Sequence, residues 1–183
     1  ILLILVMCAV SLAQAYAGFR QAEESSQAFN QIFENRVAST GYLKNVQTAY
    51  TVQILGAIIR YTDGLEISDE ALASVNAASA TIAETWPKFK QRQTSDVDRQ
   101  LTEAAEALRT EVDGSITKLK ALLQKGDRAG VRKFLNDTWF PAVDPFAEQL
   151  NQLYETQQGE SRNDFEDLSK NYAVARQARL WLI

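Results

Sequence analysis

The chain has 183 residues, a formal net charge of -4, a pI near 5.0, no histidine and one cysteine, Cys8. This leaves no basic face for nucleic acid, no disulfide within the chain, no Cys/His metal site and no histidine-based acid–base or nucleophilic machinery. Without EF-hand or DxDxD spacing among the carboxylates, the composition argues against an enzyme and implies no metal and no cofactor.

The length suits one domain, or a smaller one with extensions. Only three prolines and eight glycines interrupt long segments rich in Ala, Leu, Gln and Glu, so the expected fold is all-α. Residues 1–13 (ILLILVMCAVSLA) carry no charge. They read as the end of a transmembrane helix or as a signal peptide, since Ala13-Gln14-Ala15 fits a small-x-small cleavage site. The run Arg179-Leu180-Trp181-Leu182-Ile183, apolar with an interfacial Trp, favours membrane at both ends.

From Phe29 to Tyr61, apolar residues recur at steps of three and four: Phe29, Ile32, Phe33, Leu43, Val46, Tyr50, Ile54, Ala57, Ile58 and Tyr61. One helix of roughly 50 Å accounts for them. A 3.5-residue period puts Gln53 and Arg60 near its buried seam, where they either pair structurally or line a polar pocket. Thr62-Asp63-Gly64 ends the helix.

Ser68 is expected to cap a second helix, with Val75, Ala78, Ile82, Trp86 and Phe89 buried and, because Pro87 interrupts the backbone ladder, a kink or restart near Trp86. Ser95 caps a third, whose stripe is Leu101, Ala105, Leu108, Val112, Ile116, Leu119, Leu122 and Leu123, and Lys125-Gly126 stops it. Asp127 caps a fourth, with Val131, Phe134, Trp139, Phe140, Val143, Phe146, Leu150, Leu153, Tyr154, Gln157, Phe165, Leu168 and Tyr172 in phase. Pro141 and Pro145 interrupt its backbone ladder, either bending it or marking the first turn of a restart.

Short connections make neighbours antiparallel. The expected architecture is an up-down-up-down four-helix bundle with helices at about 20–62, 68–93, 96–125 and 127–178, the first and fourth long and continuing into transmembrane segments. Residues 1–18 would end the first span, 19–176 would form the bundle, and 177–183 would start the second span.

A small anion wants a fixed cation, hydrogen-bonding groups and an aromatic wall. Tyr50, Gln53 and Arg60 on the first helix and Arg132, Asn136 and Trp139, at i, i+4 and i+7 on the fourth, are the best constellation of that kind. A carboxylate-bearing ligand is favoured by the two arginines. The plainer alternatives are a solvated face for Arg132 and Asn136 and core packing for Trp139.

Several segments carry a family resemblance. Glu34-Asn35-Arg36-Val37, Tyr42-Leu43-Lys44 and Ala49-Tyr50-Thr51-Val52 are similar to the first helix of the four-helix-bundle sensor domain of bacterial methyl-accepting chemotaxis receptors. Thr85-Trp86-Pro87-Lys88-Phe89 resembles its second helix, and Gly126-Asp127, Phe134, Phe140-Pro141-Ala142-Val143-Asp144-Pro145 and Leu150 to Leu153 resemble its fourth. The resemblance implies a periplasmic domain of the bacterial inner membrane, commonly a homodimer, that binds a small metabolite and signals through its last helix and second span. This chain departs from related first helices, which often carry an acidic residue and a Lys where it has Gly56 and Arg60. Two alternatives stay open: the sensor domain of a membrane histidine kinase, and a secreted helical-bundle binding protein.

Overall fold

The computed structural model describes residues 11, 12, 14–20, 23, 37–93 and 95–180, the backbone alone at 164, 168 and 171–180. The described residues are helical apart from short turns and include no strand, as the composition predicts. Residues 37–48 are helical and lead through a π-helical turn, Ala49–Ile54, into α1, Leu55–Thr62. After α2 (Ser68–Lys90) and α3 (Asp96–Gln124), α4 (Arg128–Phe134) passes through a second π turn, Leu135–Trp139, into α5 (Phe140–Leu180).

The chain forms two compact units. One comprises residues 1–37 and 161–183. Its described parts are helical at 11, 12, 14–20 and 23 and again over 161–180, and Leu12, Tyr16, Phe19 and Phe165 are exposed. The exposure of Phe165 contradicts the buried stripe expected for it. Among the described residues no helix is long and apolar enough to cross a membrane. Most of the apolar run 1–13, the segment 181–183, and Phe29, Ile32, Phe33 and Arg36 lie outside the described residues.

The other unit, residues 38–160, holds the candidate site. Its turns are set by residues legible in the sequence. Gly64 (φ +80°) and Gly126 (φ +67°) take the left-handed conformation that ends α1 and α3, where a side chain would clash with its own backbone. Ser95 accepts from the N–H of Asp98, and Asp127 accepts from the N–H of Gly130 at 2.8 Å, which satisfies free donors at the starts of α3 and α4.

Ser68 behaves differently from the cap expected of it. Ile67 occupies the cap position, with its N–H given to the Glu70 carboxylate, and Ser68 begins the helix and donates its hydroxyl to the Leu123 carbonyl. Nor does Pro87 restart α2, which runs on to Lys90.

The core is one apolar cluster. In it Phe146 stands edge-on to Tyr50 (centroids 5.1 Å apart, planes at 78°) and 6.3 Å from Trp86, which packs on Phe89 at 5.4 Å. Three more tethers cross between helices: Gln47 to Asn151, Gln149 to the Leu101 carbonyl, and Ser68 to Leu123.

The π turns explain where burial departs from a 3.5-residue period. Each adds a residue to its turn and rotates everything beyond it. After Leu43, Val46 and Tyr50 the next buried residue is therefore Ile54, and Gln53 is exposed where the seam was expected. In the second turn Trp139 is buried while Arg132 and Asn136 are exposed, so the three do not share a face. Pro141 follows directly. It has no N–H for the Asp137 carbonyl, and the ladder widens just ahead of it, with Phe140 N–H reaching Leu135 O.

Candidate functional site

The end of the unit built from α1, the turn 63–67 and α4 gathers three arginines. Arg60, in the last turn of α1, binds the Glu66 carboxylate through Nε. Arg132 reaches across from α4 and donates from Nη2 to the Thr62 carbonyl at 3.0 Å, capping α1, and stands 3.9 Å from the Asp63 carboxylate. Arg128 lies over the Tyr61 ring at 5.1 Å. The chain can make this turn because Gly64 lets the N–H groups of Leu65 and Glu66 both return to the Arg60 carbonyl.

Of the six residues singled out from the sequence, this geometry brings Arg60 and Arg132 to the same turn. Gln53 and Asn136 are exposed, one on each π turn. Tyr50 and Trp139 are fully buried, also one on each π turn. Each π segment thus pairs a buried aromatic anchor with an exposed amide three residues away. The indole N–H of Trp139, tilted against Phe134 at 6.4 Å, has no hydrogen-bond partner, and neither does the second oxygen of Glu66.

Sequence reasoning missed a polar chain behind Tyr50. Its phenol donates to Asp113 at 2.6 Å. Arg109 lies 3.1 Å from the other oxygen of Asp113 and donates to Glu106 at 2.8 Å, and Glu106 accepts from the indole N–H of Trp86. Burial works against the charge on Glu106, but the hydrogen bonds from Trp86 and Arg109 outweigh it and hold the carboxyl below its ordinary range. Burial likewise opposes the charge on Arg109, and its two carboxylates still raise its pKa. For Tyr50, burial and then the bond to Asp113 push the phenol well above its usual value. The spacing 106, 109, 113 borders the buried stripe of Ala105, Val112 and Ile116, which is the signal that separates these residues from a solvated face.

The Arg128 contact was also missed, because nothing local marks a cation that folds over a ring on another helix. Among the described residues no cluster of three or more acidic or thiol side chains is placed to hold a metal. What the site offers chemically is a fork of guanidinium donors at a half-exposed turn, matched to carboxylate geometry.

Residues 1–161 match the family model described as the Tar ligand binding domain homologue. The chain belongs to this family. It is a helical sensor domain of the chemotaxis-receptor kind, a class that is not catalytic. The methyl-accepting chemotaxis protein NahY of Pseudomonas putida is 25% identical to it over 149 residues, which are 81% of this chain and 28% of that protein. The chain therefore spans little more than a quarter of the length of this relative.

Proposed function

We propose that the chain is the extracytoplasmic ligand-sensing domain of a bacterial chemoreceptor, and that it binds a small organic acid or amino acid at the arginine-flanked turn. The convergence of Arg60, Arg128 and Arg132 around residues 61–66 carries this reading. Arg60 and Arg132 take the carboxylate, and Gln53 and Asn136 supply exposed hydrogen-bonding groups. Tyr50 and Trp139 act from inside, fixing the π turns on which those amides sit. Glu66 occupies Arg60 and competes with the ligand carboxylate for it.

In this reading the helical stretches run up, down, up and down, which their short connections favour. Residues 1–18 and 177–183 belong to two membrane spans flanking a periplasmic bundle of residues 19–176, a division supported by the apolar composition of both ends. A ligand held between the first and fourth stretches shifts their relative placement by its differential affinity for the two states, and α5 carries that shift toward the second span.

A homodimer completes the receptor. Val52 and Ile59, large apolar residues on the first helical stretch, are 61% and 42% exposed. Burial of that apolar surface against a second copy supports the dimer.

A thermal-shift and calorimetric screen of organic acids and amino acids tests the site. A ligand that binds only the folded form raises the melting point. Arg60→Ala and Arg132→Ala abolish the binding and leave helicity intact, whereas Glu66→Gln strengthens it. Unchanged affinity in both arginine variants removes the site.

A further inference from the structure

A second groove lies between α3 and the α4 segment with its π turn. It is an open trough of about 440 Å³ on the surface of the unit. Its floor is apolar, formed by Leu122 and Phe134, and Lys118, Lys125 and Lys133 stand on its rim. Residues 118 and 122 of α3 and 125 just past its end are spaced at i, i+4 and i+7, and residues 133, 134 and 137 face them from the other helix. The π turn sets Asp137 within this lining.

The lysines are what make the groove more than a crevice. None of the three ammonium groups has an ion pair or hydrogen bond among the described residues, and Asp137, the one acidic group of the lining, pairs with none of them. Helix-dipole compensation accounts for Lys125 beside the end of α3, but Lys118 lies almost two turns upstream, beyond its reach. Three unneutralised cations around an apolar floor complement a molecule with an anionic head and an apolar body.

We propose that this groove is a binding site for a medium-chain carboxylate, separate from the arginine-flanked turn. The apolar body lies on Leu122 and Phe134, and the carboxylate is held by the lysine rim. The lysines act as flexible point charges, so the head is recognised by charge and the body by its apolar surface.

Calorimetry on the intact chain with octanoate tests this, with acetate and 1-octanol as the separate halves of the ligand. Octanoate is expected to bind at least about tenfold more tightly than either half. The triple variant Lys118→Gln/Lys125→Gln/Lys133→Gln is expected to lose about tenfold or more in octanoate affinity with an unchanged circular-dichroism melt. Lys88→Gln, which removes a cation away from both sites, is expected to bind octanoate as the parent does. Equal binding of octanol and octanoate, or full octanoate affinity in the triple variant, overturns the proposal. Loss of octanoate binding in Arg60→Ala alone moves the anion to the arginine turn, which sinks the groove and spares the sensing site.

Discussion

The phenol of Tyr50 donates a 2.6 Å hydrogen bond to Oδ1 of Asp113 and so ties the first π turn to α3. Asp113 passes the connection to Arg109, Glu106 and Trp86, so residues from three helices share one polar chain beside the aromatic core. The network anchors a residue of the π turn. Tyr50 faces inward in phase with Leu43, and Asp113 supplies the acceptor that a buried hydroxyl requires.

Tyr50→Phe is expected to cost about 1.5–3 kcal/mol at neutral pH, the worth of a hydrogen bond to a charged group. Its effect depends on pH. An unfolded tyrosine ionises through pH 10, while the buried one keeps its proton. The contribution is therefore complete below pH 10, and stability falls as pH rises above 10 because the unfolded state sheds protons that the folded state retains. Thermal melts from pH 9 to 11 are expected to show a smaller decline for the variant than for the parent, and parallel declines refute this linkage.

Phe146 bridges Tyr50 and Trp86 and is fully buried. Its truncation to Ala removes both edge contacts and leaves a cavity, an expected loss of about 3–5 kcal/mol. Urea titration is the check, with a lower midpoint and an unchanged slope.

Two glycines give opposite signs. Gly64 holds φ at +80°, so Gly64→Ala is expected to cost about 1–2 kcal/mol. Gly114 lies inside α3, where an added Cβ meets nothing within 4 Å, so Gly114→Ala is expected to add up to about 1 kcal/mol. Thermal denaturation of the pair separates backbone conformation from general tolerance of a methyl group.

The exposed apolar surface at Val52 and Ile59 predicts an interface. Val52→Lys with Ile59→Lys is expected to shift sedimentation from dimer to monomer while the helical signal is kept. A parent that sediments as a monomer at high concentration rejects the interface.

The residues that define helices by themselves were readable in order. The alternation of buried positions, the glycine stops at 64 and 126, and the caps at Ser95 and Asp127 all rest on interactions within a few residues. Ser68 misled because its hydroxyl had two possible acceptors, and the distant one, Leu123, won. Gln53 was misplaced, and Arg132 and Asn136 were put on one face with Trp139, for one shared reason: a single extra residue in a turn turns a side chain away from the face that a constant period assigns it.

The sequence by itself determined an all-helical chain and where its turns fall, because helix periodicity, capping and left-handed glycines are local properties. Only the tertiary structure decided which polar groups meet. Arg132 on Thr62, Arg128 over Tyr61, and Asp113 under Tyr50 are separated by more than sixty positions in the chain. Such pairs are fixed by the placement of one helix against another, which no local spacing encodes.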